Sequence, residues 1–333
     1  MKNNKTHKKV LVTGANSLLG TNTILALLGQ GYKVRGMLRN RSSFMAPPHN
    51  DLELFQGSFT NPEELESAVE SCNFVIHTAA ITDQDLLKFS NYENVNIKAV
   101  RLIAEVCRKS AIKKMIFVGS ANACGHGSPE ESGTEITPPV WPFTGSYYAQ
   151  SKIKAQEIIL DAARDKSPTE FLVINPGFML GPWDSKPSSG RIVKMYLNRK
   201  IIFCPPGGKS FVHVRDVAQA IVQALEKAKN GQVYLLTGEN LSYKAFFEKL
   251  NALTGRKKPV LILPKWLLLS AGKLGDLLRC MKIRTSLSGI NTHVLCEHVW
   301  YSNQKTEKEL GVKFTPIDKT LQDTLLWFEK QEL

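Results

Sequence analysis

A chain of 333 residues is long enough to bury a sizeable core in two lobes, and 43% hydrophobic with 22% charged residues excludes a disordered, collagenous or repetitive protein. The formal charge of +13 is spread along the sequence and dense only at Lys2, Lys5, Lys8 and Lys9. With no interleaving of basic and aromatic residues, it argues for a solvated basic surface that favours anionic ligands, not for a nucleic-acid partner. The most apolar region, 260–281, is interrupted by Pro264, Lys265, Lys273, Asp276 and Arg279, so it reads as an amphipathic helix and not as a membrane span. Six cysteines stand far apart with no Cys-x-x-Cys pair, and no apolar run precedes the first strand. Together these predict reduced thiols, no metal site and a cytoplasmic protein without a secretory signal.

In chain order, Val10, Leu11 and Val12 form a short apolar run, Thr13-Gly14 breaks it, and Gly20 opens a helix carrying Ile24, Leu25, Leu27 and Leu28. Strand, glycine turn and helix aim backbone N–H groups at a phosphate. The glycine pattern is incomplete, because Ser17 occupies the middle position. A second strand over 33–38 ends at Arg39-Asn40-Arg41-Ser42, beside the expected adenosine ribose. Two arginines and no acid before Asp51 favour the 2′-phosphate of NADP over the 2′-hydroxyl of NAD.

A third strand, 52–56, leads past Gly57-Ser58 to a helix capped by Asn61 and carrying Leu65, Ala68 and Val69 inward. The fourth strand, 74–76, runs into His77-Thr78-Ala79-Ala80, where small residues let a ligand approach the backbone. His77 itself reads as a structural histidine. A helix over 92–109 with Val95, Val100, Ile103, Ala104 and Cys107 on its apolar stripe precedes a fifth strand that ends in Ser120. Strands alternating with helices predict an α/β fold, a doubly wound parallel (Rossmann) sheet.

Tyr148 and Lys152 are four apart at the start of the next helix, so both side chains share one face. A phenol with a pKa of ~10 is a poor acid or base at neutral pH, and a nearby ammonium lowers that value. Ser120, at the end of a neighbouring strand, can donate to a substrate carbonyl. The three groups together suit polarising a C=O and supplying a proton as hydride arrives.

In this order the stretches 13–20, 77–80, 94–96, 118–121, Tyr148-x-x-x-Lys152, 175–182 and 211–218 resemble the extended short-chain dehydrogenase/reductase superfamily, of the NAD-dependent epimerase/dehydratase type, over nearly the whole chain. The resemblance implies that Gly14, Asn16, Ser17, Leu18 and Leu19 wrap the cofactor pyrophosphate, with Arg39 at the adenosine ribose. It implies that Thr78 and Ala79 line the cofactor cleft, and that Pro176 to Phe178 pack at the nicotinamide. Ser120, Tyr148 and Lys152 would be the catalytic group, with Tyr148 as acid/base. Three residues depart from the family pattern: Ser17 stands in place of the middle glycine, Ser58 in place of an Asp at the adenine, and Asn175 in place of an Arg found in many sugar-modifying members.

The segment 181–191, rich in proline and glycine, looks like the dihydroflavonol reductase-like branch and reads as a substrate-side loop leading into a helix at 192–197. The strand at 231–238 is expected to return to the large sheet. The dinucleotide-binding domain is therefore placed at 1–177 with 211–240, and the mostly helical substrate lobe at 178–210 and 241–333. Met179, Trp183, Phe203 and the Leu267 region could line an apolar pocket or be core. The expected activity is NAD(P)-dependent reduction of the carbonyl of a small organic substrate, or oxidation of its alcohol. The alternative is a nucleotide-sugar epimerase or dehydratase holding NAD. Family members often pair through two helices, here 92–109 and 148–164, as homodimers.

Overall fold

The computed structural model describes residues 8–331; Lys2 and Lys5 of the basic run lie outside them. The chain begins β1 (Lys9–Thr13), α1 (Leu18–Gly29), β2 (Lys33–Leu38), β3 (Leu52–Gln56), α2 (Pro62–Val69) and β4 (Phe74–His77). A long helix follows in three parts: α3 (Ser90–Tyr92), a π-helical stretch (Glu93–Lys98) and α4 (Ala99–Lys109). Then come β5 (Lys114–Val118), α5 (Tyr147–Arg164), β6 (Glu170–Pro176), β7 (Phe178–Leu180), α6 (Arg191–Asn198), β8 (Ile202–Cys204) and β9 (Gly208–His213). The remainder is α7 (Val214–Lys227), β10 (Val233–Leu236), β11 (Glu239–Ser242), α8 (Tyr243–Thr254), β12 (Val260–Ile262), α9 (Lys265–Cys280), α10 (Gly289–Cys296), β13 (His298–Val299), α11 (Gln304–Leu310) and α12 (Ile317–Gln331).

Seven strands lie in the order β3-β2-β1-β4-β5-β6-β10, every pair parallel. This is the doubly wound α/β sheet that the alternating pattern predicts. The apolar runs are continuous because both faces are covered. Val10 and Val12 of β1 point into a layer shared with Ile24 and Leu27 of α1 and Val217 and Ile221 of α7. Leu11 points the other way, with Leu65 of α2, Ile103 of α4 and Ile159 of α5. Lys114 fixes the far end of α7: its buried ammonium donates to the carbonyls of Ala224, Leu225 and Ala228, the charge favoured at a helix C-terminus.

β9 forms a second sheet with β11, β7 and β13, and α6, α8 and α12 pack around it with Phe211, Phe246 and Phe247 at the centre. One periodicity reading needs correction. The long helix begins at Ser90, and its π-helical stretch rotates the faces, so that Asn96 is buried while Val95 is only half-buried.

Candidate active site

The carboxyl ends of β1 and β4 meet where the chain reverses direction across the sheet, the crevice in which open α/β sheets take ligands. Gly14 sits there at φ +72°, and a Cβ on it would lie 2.9 Å from the backbone of Ala79. Only glycine satisfies both constraints. The N–H groups of Gly14 and Ala15 donate to the Met37 carbonyl at the end of β2, which ties the turn to the sheet. Ser17 is the N-cap of α1: its hydroxyl accepts from the Gly20 N–H at 3.0 Å and lies 3.4 Å from the Thr78 hydroxyl.

The serine in the glycine position is thus accounted for by capping. Ser17→Ala is expected to destabilise the protein by about 1 kcal/mol and Ser17→Gly by only a few tenths. Urea denaturation checks this, and an alanine variant as stable as the parent removes the capping account.

The first turn of α1 carries no acid, so its positive end is free for an anion. Leu18 and Leu19 are buried behind that turn. The Asn16 side chain donates to the Ser43 hydroxyl in the turn after β2. Arg39 and Arg41 stand exposed on that turn, and among the described residues no carboxylate pairs with either. The glycine turn at Gly14 and the N–H donors of the first turn of α1 fit a dinucleotide diphosphate. Ser58, where the family pattern has Asp, bonds the Thr60 hydroxyl instead.

α5 is capped by Ser146 and presents Tyr148 half-buried, beside Ser120 from the end of β5. Burial raises the Tyr148 pKa overall, against a smaller lowering by the nearby Ser120 hydroxyl. The expected lowering by Lys152 is not what this geometry produces. Lys152 Nζ donates to the Val118 carbonyl at 2.9 Å and lies 5.0 Å from the Phe117 ring centroid, and burial brings its own pKa down to about 7. His77 is structural: it shares a 2.7 Å hydrogen bond with the Thr13 hydroxyl and stacks on Phe117. Burial, and then the Lys152 charge, push its pKa down to about 3, so it stays neutral. Thr78 donates to the Thr13 carbonyl, Ala79 faces Gly14, Pro176 closes β6 and Phe178 packs edge-on against Phe211.

Two asparagines to which the sequence reading assigned no role hold this group together. Asn175, fully buried on β6, accepts from the Ser120 N–H at 2.9 Å and donates to Gln156 Oε1 at 2.7 Å, joining the end of β5 to α5. Gly119 makes room for it: a Cβ there would come within 2.1 Å of Asn175 Oδ1. Asn96 grips both the N–H and the carbonyl of Ile81 and donates to the Ser151 hydroxyl on α5. For Asn175 the available signal was a lone amide near the end of an apolar strand.

A cavity of about 190 Å³ opens onto Tyr148, lined also by Gln84, Tyr92, Tyr147, Arg279 and Asn291. Arg279 donates to the carbonyls of Asp85 and Leu86, Arg284 pairs with Asp85 and Asn291 donates to the Gln84 carbonyl. The α9–α10 hairpin is thereby latched to the loop after β4. None of the four apolar pocket candidates lines this cavity. Met179 and Trp183 pack in cores, with Trp183 against Trp327, and Phe203 and Leu267 face outward.

Residues 10–236 match the NAD dependent epimerase/dehydratase family. The chain is 29% identical to sterol demethylase protein B of Methylococcus capsulatus, over 96% of this chain and 98% of that one. It is 27% identical to a dihydroflavonol 4-reductase-like protein of Synechocystis sp., over 96% and 94%. The crystal structure of gox2253 superposes with a TM-score of 0.84 at 25% identity, over 97% of this chain and 98% of that one. The seven-stranded sheet and a match running from β1 to the last strand of that sheet lead to one conclusion: the chain belongs to the NAD dependent epimerase/dehydratase family, the extended short-chain dehydrogenases/reductases, and is an NAD(P)-dependent enzyme of that family.

Proposed function

We propose that this enzyme reduces a ketone of an apolar, ring-bearing substrate, or oxidises the matching alcohol, with NADP as its preferred dinucleotide. The observation that carries the reading is the meeting of Ser120, Tyr148 and Lys152 at the carboxyl edge of the sheet, with a cavity opening onto Tyr148. The bound dinucleotide supplies or accepts the hydride. Gly14, Asn16, Ser17, Leu18 and Leu19 hold its diphosphate, Thr78 and Ala79 line its cleft, and Pro176 and Phe178 pack beside its nicotinamide end. Tyr148 gives its proton to the substrate oxygen in reduction and takes it back in oxidation, while Ser120 orients that oxygen. Lys152, whose ammonium donates to the Val118 carbonyl at the end of β5, is the donor to the ribose. The names of the two relatives, one a sterol protein and one dihydroflavonol reductase-like, support an apolar ring system as substrate.

Arg39 and Arg41, exposed and without a carboxylate partner among the described residues, support NADP. NADP is expected to bind at least about tenfold more tightly than NAD, with Arg39→Ala removing most of that margin and moving NAD affinity by less than about twofold. Binding titrations with both dinucleotides measure it. Tighter NAD binding that Arg39→Ala leaves unchanged overturns the cofactor assignment. Mass spectrometry of the purified protein that finds retained NAD together with a nucleotide sugar overturns the reductase in favour of an epimerase or dehydratase.

A further inference from the structure

A surface helix ordinarily turns its apolar stripe to the core; α9 does the reverse. Across Lys265–Cys280 only Gly272 and Gly275 are buried. They let the α10 side of the hairpin lie directly on the helix: a Cβ on Gly272 would sit 2.2 Å from Thr292 Oγ1, and one on Gly275 1.7 Å from the Leu287 carbonyl oxygen. On the opposite side Trp266, Leu267, Leu274 and Leu277, with Met281 just beyond the end, are between 42% and 67% exposed. At helical spacing these five fall within an arc of about 100° and make one continuous apolar stripe. Phe203 and Leu261, cross-strand partners in the β8–β12 ribbon that leads into α9, extend it and are likewise exposed. Apolar surface of this extent on a folded chain marks an interaction site.

Charge decides what covers it. Between residues 256 and 284 there are eight lysines and arginines, and Asp276 is the single acid. Lys265, Lys273, Lys282 and Arg284 are exposed around the stripe. A second copy docked by two-fold symmetry would bring the same positive surface against itself. An anionic bilayer instead neutralises the lysines while taking Trp and Leu side chains into its interface. The helix is too short and too charged to cross a bilayer, and no described helix is long and apolar enough to do so, so α9 would lie on the surface. Asp276 and Arg279, on the inner side of the same helix, line the cavity at Tyr148. Docking would therefore hold the cavity against the inner side of the helix whose outer side meets the lipid.

We infer that α9, with the β8–β12 ribbon, is a docking surface for an anionic lipid bilayer, from which an apolar substrate reaches Tyr148. The substrate half rests on the function proposed above; the docking half stands without it. Cys280 is the one exposed cysteine of the six and borders the stripe, so a polarity-sensitive fluorophore on it reports insertion. The full chain is expected to sediment with phosphatidylglycerol/phosphatidylcholine vesicles, with a blue shift of the probe, and to bind phosphatidylcholine vesicles weakly. Leu274→Glu/Leu277→Glu is expected to weaken partitioning more than about tenfold, and Lys265→Glu/Lys273→Glu to abolish the preference for anionic lipid. All four side chains are exposed, so the thermal midpoint and dinucleotide affinity stay as in the parent. A chain that stays in the supernatant with anionic vesicles, or vesicle binding unaffected by the glutamates, overturns the inference. So does light scattering that finds a lipid-free dimer dissolved by the glutamates, which assigns the face to a second copy. Vesicle binding in a protein that binds neither NAD nor NADP supports docking while sinking the function proposed above.

Discussion

Tyr148→Phe is expected to lower kcat by about 10²–10⁴-fold while the dinucleotide Kd moves by less than about twofold. The substitution removes one hydroxyl and keeps the ring, so the contact with Tyr92 and the packing of α5 remain. What disappears is the proton that would meet the substrate oxygen. Tyr147 cannot substitute: it is the more exposed neighbour on the helix, and its ring packs against Phe89. Steady-state kinetics with a reducible ketone and a parallel titration of NADP separate the two effects. A Tyr148→Phe enzyme that turns over at the parental rate places the acid elsewhere.

The second large effect is expected at a residue far less conspicuous in the sequence. Asn175→Leu keeps the volume but strips the acceptor from the buried Ser120 N–H and the donor from Gln156 Oε1. Leaving buried groups unpaired costs about 1–3 kcal/mol each, so a loss of about 2–4 kcal/mol in unfolding free energy is expected. Because the same amide joins the strand bearing Ser120 to the helix bearing Tyr148, kcat should fall with it, and KM should change less. Urea denaturation followed by kinetics at a temperature where the variant is fully folded distinguishes positioning from stability. A folded Asn175→Leu enzyme with parental kcat would show that Asn175 serves stability alone.

Much of the frame was legible from local pattern. The runs at β1, β4 and β5 are continuous because a parallel sheet is covered on both faces, and that signal needs no long-range information. The cap at Asn61 and the four-residue spacing of Tyr148 and Lys152 were equally local, and the structure shows the Asn61 cap and puts both side chains on α5. Ser17 was visible as an oddity, but its capping bond appears only once α1 is built on it.

Residue spacing along the chain determined the sheet, the turn at Gly14 and the placement of a phenol and an amine on one helix, because each depends on neighbours within a few residues. The direction in which the Lys152 ammonium points, and the rise rather than fall of the Tyr148 pKa, depended on Val118, Phe117 and Ser120, which reach the site from another element. The same holds for Asn96 and Asn175, whose partners lie 15 to 55 residues away. The apolar stripe of α9 was plain in the sequence as a stripe. Whether it faced core or solvent was settled only by where Gly272 and Gly275 let α10 pack. Periodicity says which residues share a face; only the packing of distant segments says what that face meets.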